Sequence, residues 1–171
     1  MARRRLDREH TMTLDPRRVQ NPHDWSALLG LIRSSFAYMD GRVDPPSSIH
    51  RTTEADLSQM ADEGEVWVID APQVSGPVAC MVLTPRPDCL YIGKVAVADA
   101  WRGTGLSRRL IDLAVDRARV HGLPALELQV RVELADNHAI YQRLGFVETG
   151  RTAHPGFDRP TSVTYRRSVA A

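Results

Sequence analysis

Little in the 171-residue chain marks a specialised class of protein. Its 2 cysteines, Cys80 and Cys89, cannot build a disulfide scaffold and are not spaced as a CxxC metal or redox pair. A formal net charge of +1 gives no field for a nucleic-acid backbone or an anionic membrane, so neither partner is expected. No window approaches the ~20 apolar residues of a membrane span, and the basic opening MARRRLDREH lacks the apolar stretch of a signal peptide. The 6 histidines show no HxH or HExxH spacing, and no metal is expected. The expectation that remains is a soluble, cytoplasmic chain with a mobile arm over residues 1–11 and a single domain over 12–171.

What is present is a succession of short periodic runs. An apolar-polar stretch from Met12 leads to Pro16, and Asn21-Pro22-His23-Asp24 signals a helix start. Trp25, Leu28, Leu29, Ile32 and Phe36 then recur at the spacing of one helix face. Gly41 and Pro45-Pro46 break the pattern, and Thr53 with Glu54, Asp56 and Leu57 opens a second helix ending near Gly64. The connection between these helices is expected to be a lid or substrate loop. Val66 to Ile69 and Val78 to Leu83 read as a hairpin, and Leu90 to Val97 as a third antiparallel strand. Leu106, Leu110, Leu113, Ala114 and Val120 mark a crossover helix, and Leu126 to Val132 alternates as a parallel strand beyond it. A helix from Asp136 to Leu144 stops at Gly145, Phe146-Val147 starts a strand, and Ser162 to Tyr165 is expected to close the chain as an edge strand.

Chemistry concentrates at the turn into the crossover helix. Two glycines at a helix entrance let backbone N–H groups converge with no side chain in the way, which suits a phosphate group as well as tight packing. A nucleoside-triphosphate loop would need Gly-Lys-Ser/Thr, yet the only lysine, Lys94, lies upstream. A dinucleotide fingerprint would need a third glycine at position 108, which is arginine.

Arg102-Gly103-Thr104-Gly105-Leu106-Ser107 resembles the acyl-coenzyme A loop of the GNAT N-acetyltransferases, R/Q-x-x-G-x-G/A, with Ser107 as its last small residue. Val95-Ala96-Val97 is similar to the family's pantetheine-pairing strand, and Tyr141-Gln142-Arg143-Leu144-Gly145-Phe146 to its Y-x-x-x-G-F. The resemblance implies an α/β, GNAT-like fold: a mixed, mostly antiparallel sheet of six or seven strands, splayed between those holding Val97 and Val130, with helices on both faces. It implies acetyl-CoA as co-substrate, held by Val95, Ala96 and Val97 and by Arg102, Gly103, Thr104, Gly105, Leu106 and Ser107, with Tyr141 as the catalytic acid. Where the family has an asparagine the chain has Leu134. Asn137, on the same helix face as Tyr141, either supplies that amide to coenzyme A from one turn later or caps its helix.

Acyl transfer from a thioester needs a neutral amine, a polarised carbonyl and a proton for the departing thiolate. A phenol of pKa about 10 can supply the proton, while a helix tyrosine is equally at home packed in a core. The base stays open: no carboxylate stands in Leu90-Tyr91-Ile92-Gly93, and Glu127, Glu133, Asp40, His154, Asp158 and water are alternatives. The expected reaction is direct acetyl transfer to a primary amine, preferably of a small molecule, in a ternary complex, because neither cysteine sits in a nucleophile motif. The acceptor is expected between residues 36–48 and 153–159, against Tyr38, His154, Phe157 and Asp158. A coenzyme A-binding module without activity, and an acetyltransferase of protein N-termini or lysines, are the alternatives, and a homodimer is allowed for.

Overall fold

A computed structural model describes residues 14–169. The proposed arm, residues 1–11, lies outside them. The elements in chain order are β1 (Pro16–Val19), α1 (Ser26–Phe36), α2 (Glu54–Glu63), β2 (Glu65–Ile69), β3 (Ala79–Pro85), β4 (Leu90–Val97), α3 (Leu106–Val120), β5 (Ala125–Arg131), α4 (Ala135–Arg143), β6 (Val147–Thr152) and β7 (Ser162–Ser168). The strands form one seven-stranded sheet ordered β1-β2-β3-β4-β5-β7-β6. Every neighbouring pair is antiparallel except β4 and β5.

Local chemistry explains where the elements begin and stop. Thr53 and Asp56 cap α2 reciprocally: the Asp56 N–H donates to Thr53 Oγ1 at 3.2 Å, and the Thr53 N–H donates to Asp56 Oδ2 at 2.8 Å. Gly64 then turns the chain into β2, and only glycine fits, because a Cβ there would lie 2.3 Å from the Leu83 carbonyl oxygen. Strand alternation divides the core. Val66, Val68, Cys80, Val82 and Ala96 meet Leu28, Ile32 and Leu57 of α1 and α2, whereas Ile69, Met81, Leu83, Ile92 and Leu128 meet Leu110, Ile111 and Ala114 of α3. Burying a leucine or isoleucine such as Leu110 or Ile111 stabilises by roughly 1.5–3 kcal/mol each, so α3 is held by its apolar stripe.

Two features open the sheet. The β4–β5 register contains only Leu90↔Leu126 and Tyr91↔Glu127, beyond which the strands part. Between the pairs Cys80↔Ala96 and Val82↔Gly93, β4 also has one residue more than β3, with Lys94 at φ 53°. The connection from α1 to α2 runs across this open end, since Met39 and Val43 join the apolar cluster on the α3 side and Ile49 joins the one under α1 and α2.

Two expectations are corrected. Ser162 to Tyr165 belongs to β7, which lies between β5 and β6 rather than at the edge. Its Ser162, Val163 and Tyr165 are buried, whereas all six residues of β6 are exposed, as suits the true edge. The stretch before the first helix, expected only as an apolar-polar run, contains strand β1, paired with β2 from Pro16↔Ile69 to Val19↔Val66.

Candidate active site

Where β4 and β5 diverge there is a cavity of about 580 Å³. One wall is Val95, Ala96 and Val97 of β4; the next is Trp101, Arg102, Gly103 and the start of α3 at Gly105, Leu106 and Ser107. Ser35 and Phe36 at the end of α1 and Tyr38 and Arg42 just after it close one side, and Leu134 at the N-cap of α4 with Asp136, Asn137, Ile140 and Tyr141 of α4 close the other. The pairing of β4 with β5 ends at Tyr91, which leaves the backbone edge of residues 95–97 without a neighbouring strand and able to bond a ligand amide.

The glycine turn has a conformational cause. Gly103 (φ 73°) and Gly105 (φ 87°) both sit in the left-handed region, and a Cβ built on either meets nothing within 4 Å. The turn therefore presents bare backbone to open space. The Arg109 N–H is bonded to the Gly105 carbonyl at 3.1 Å, so the amides of Leu106, Ser107 and Arg108 belong to the first turn of α3, where the helix offers them no acceptor. These residues suit an anionic phosphate group. Arg102 pairs with Asp99 at 3.1 Å and lies 5.6 Å from the Tyr38 ring. Thr104 stands apart from the cavity lining, and its hydroxyl donates to the Trp101 carbonyl, closing the turn.

Tyr141 lines the cavity with its ring edge-on to Phe146 at 5.9 Å. Burial pushes its phenol up to about 12, and the neighbouring Tyr38 phenol adds to the rise. Asn137 does not cap its helix. Its Nδ2 donates to the Tyr38 hydroxyl at 2.8 Å, and Leu134, the residue at the N-cap, is a buried apolar contact. Tyr38 thus ties the end of α1 to α4 across the cavity, with Arg42 5.8 Å from its ring on top of Arg102. Sequence reasoning missed Ser35, Trp101 and Arg42. Only Arg42, four residues after Tyr38, carried any signal, as a cation one turn from an aromatic.

The remaining acceptor residues lie elsewhere. His154, Phe157 and Asp158 are outside the cavity lining. His154 bonds Thr161 Oγ1 through its backbone N–H at 2.9 Å and through its ring, and burial, with Arg131 nearby, holds the imidazole below its ordinary value. Phe157 lies 5.5 Å beneath the Arg159 guanidinium, and Asp158 is exposed. The two loops do meet: Arg159 pairs with Asp44 at 3.1 Å, and Arg131 donates to the Pro45 and Pro46 carbonyls. Glu127 is committed at the opposite end of the sheet to Arg86 at 2.9 Å and Arg166 at 3.1 Å, and Asp40 faces His50 at 2.7 Å. No group of three or more metal-ligating side chains occurs among the described residues.

The sequence model of the family described as Acetyltransferase (GNAT) matches residues 26–146. The chain belongs to this family. It is therefore an acetyl-CoA-dependent N-acetyltransferase of GNAT fold, with acetyl-CoA as co-substrate. It is similar to the Saccharomyces cerevisiae N-alpha-acetyltransferase 30, at 26% identity over 61% of this chain and 70% of the yeast protein. It is also similar to the L-2,4-diaminobutyric acid acetyltransferase of Halomonas elongata, at 28% identity over 51% of this chain and 45% of that protein. Among solved structures, a GNAT acetyltransferase from Elizabethkingia anophelis with acetyl-CoA bound shares the fold with a TM-score of 0.65 at 14% identity, covering 91% of this chain and 98% of that one. No helix among the described residues is long and apolar enough to cross a membrane.

Proposed function

We propose that this acetyltransferase acts on a primary amine of a small molecule, by direct attack in a ternary complex. The observation that carries the reading is one cavity holding the free β4 edge, the bare glycine turn and the half-buried Tyr141 together. Acetyl-CoA supplies a thioester carbonyl; Gly103, Gly105 and the first amides of α3 suit its phosphates, and the backbone of 95–97 suits its pantetheine amides and carbonyl oxygen. The amine nitrogen bonds to the acyl carbon and the carbon–sulfur bond breaks. The amine's proton leaves to a base or to water, and Tyr141 donates a proton to the departing sulfur.

Burial makes that phenol a weaker acid than a free tyrosine, but it raises a thiolate beside it for the same reason, since both anions lose hydration. A covalent route through cysteine has no support. Cys80 is fully buried and its thiol pushed up to about 12, burial raises Cys89 as well, and neither lines the cavity. On the acceptor side, the Arg159–Asp44 pair joins segment 44–46 to the loop carrying His154, Phe157 and Asp158, and neutral His154 is available there as a proton acceptor. The named substrate of the Halomonas relative is likewise a small amine. A protein N-terminus is the second reading, favoured by the likeness to the yeast protein.

The test is thiol release from acetyl-CoA with a panel of small amines and of peptides with free N-termini. Turnover of small amines supports the reading, turnover confined to peptides replaces it with the second, and no turnover of either overturns both.

A further inference from the structure

Two arginines line the cavity, and only one of them is paired. Arg102 meets Asp99 at 3.1 Å and donates to the Ser35 carbonyl at 3.4 Å. Arg42 is exposed, and among the described residues its guanidinium has no hydrogen-bond or ion-pair partner; it lies over the Tyr38 ring, 5.8 Å from the centroid. The acids that flank it in the sequence are both taken up elsewhere: Asp40 faces His50 at 2.7 Å, and Asp44 pairs with Arg159 at 3.1 Å. The single acidic residue of the lining, Asp136, stands on α4, on the other side.

Arg42 is nonetheless fixed in place. Met39 and Val43 around it are buried in the core on the α3 side, and the Arg42 and Val43 N–H groups both donate to the Met39 carbonyl, at 2.9 and 3.3 Å. The ring beneath the guanidinium is held as well, since Asn137 Nδ2 donates to the Tyr38 hydroxyl at 2.8 Å. That ring also lies 5.6 Å from Arg102, the residue that opens the glycine turn, so Tyr38 is a platform shared by both cations and places Arg42 beside the turn. An arginine laid on an aromatic ring has its planar N–H fork pre-organised for an anion. The turn by itself leaves charge unmatched. Its amides and those of the first turn of α3 offer only partial positive charge, and Arg102 is neutralised in part by Asp99, whereas coenzyme A brings both a diphosphate and a ribose 3′-phosphate.

We propose that Arg42 is a phosphate-binding residue for coenzyme A: carried on the Tyr38 ring, its guanidinium takes phosphate oxygens that the glycine turn does not. Two N–H groups of the fork match two oxygens of one phosphate. The connection after α1, expected to serve the acceptor, thereby closes the coenzyme site as well. This holds whichever amine is the acceptor.

Calorimetry without any acceptor tests it, using acetyl-CoA, acetyl-dephospho-CoA, which lacks the 3′-phosphate, and S-acetylpantetheine, which has no phosphate. Arg42→Gln should raise the Kd of acetyl-CoA about tenfold or more, with the largest difference from wild type at low salt, and leave that of S-acetylpantetheine unchanged. A loss that persists with acetyl-dephospho-CoA assigns Arg42 to the diphosphate and one that disappears assigns it to the 3′-phosphate; either supports the proposal. Arg42→Lys should recover part of the affinity through its charge. Tyr38 separates platform from hydroxyl: Tyr38→Leu should weaken acetyl-CoA binding as Arg42→Gln does, and Tyr38→Phe, which keeps the ring, should bind it nearly as well as the wild type. An unchanged Kd in Arg42→Gln overturns the proposal, as does an equal loss for S-acetylpantetheine. So does a phosphate-dependent loss seen only in Arg108→Gln, at the exposed start of α3. If acetyl-CoA binds as before and only the KM of a turned-over amine rises, Arg42 belongs to the acceptor and the proposal fails. Should Tyr38→Leu unfold the chain, the Arg42 variants, whose side chain joins no ion pair, decide alone.

Discussion

The two ends of the sheet are built to opposite rules. At the closed end, where β4 and β5 are paired, ions are matched: Glu127 lies between Arg86 and Arg166, and Arg166 also reaches Asp88 at 2.8 Å. Nearby in design, at the start of β2, Glu65 takes Arg117 at 2.8 and 2.7 Å, His121 at 2.7 Å and Trp67 at 2.9 Å. Burial would raise the Glu65 carboxyl, but these donors together outweigh it and hold the group at about 2. At the open end ion pairs occur too, Arg102 with Asp99 and Arg159 with Asp44, but there the backbone is left over, as an unpaired strand edge and bare glycine amides. Matched charge locks one half in place, and unpaired backbone suits the other to a ligand.

The comparison breaks most visibly if the open end carries no chemistry. Tyr141→Phe should lower kcat by about 10² to 10⁴ with little change in acetyl-CoA affinity, and with the phenol at about 12 no alkaline loss of the wild-type rate below roughly pH 10 should trace to it. Pre-steady-state measurement of the chemical step checks this, and an unchanged rate returns Tyr141 to a packing role. The closed end should answer differently. Glu65→Gln leaves Arg117 and His121 around a neutral amide and should cost about 3 kcal/mol in urea unfolding, with coenzyme A affinity unaltered.

The sign of its pH dependence follows from the same contacts. The folded carboxyl sits at about 2, below its ordinary 4.5, so the stabilisation is complete above about pH 4.5 and is lost as the pH falls toward 2. Urea midpoints across that range should show the loss in the wild type and a shallower one in Glu65→Gln.

Gly105→Ala sharpens the contrast further. At φ 87° an alanine is strained by about 1 kcal/mol, and its methyl enters the space left open above the turn, so acetyl-CoA should bind about tenfold more weakly by calorimetry. Because of that strain a β-branched residue at 105 would mix folding with binding, and alanine is the cleaner probe. The smallest effect is expected of Tyr38→Phe, which removes the 2.8 Å bond from Asn137 and should cost about 1 kcal/mol of thermal stability with a modest rise in the acceptor KM.

What the sequence showed was local. Gly103 and Gly105 were legible because a left-handed turn before a helix leaves few other choices, and Thr53 with Asp56 because the capping pair lies within one turn. The position of β7 was not legible. Its pairing joins Leu126 to Arg167 and Leu128 to Tyr165, and Arg166 and Arg167 look like the end of a strand until Glu127 and the Leu144 carbonyl are seen to receive them. In the site, Tyr141 was found through a short motif, whereas the Asn137–Tyr38 bond joins positions 99 residues apart and no window contains both.

The surplus residue at Lys94 has a consequence for how this strand is used. A β-strand counts in twos, and one extra residue changes the parity of everything after it. Before the bulge Ile92 points toward α3; after it Val95 and Val97 pack on that side, while Ala96 falls to the α1–α2 side. An even phase would have exchanged these assignments. The bulge thus works like a half-step in a gear train: both halves of β4 stay in mesh with β3, but the second half runs one tooth out of phase, with its other edge free toward the cleft. Deleting Lys94 would leave the composition of the pocket almost unchanged and present the opposite side of residues 95–97 to it.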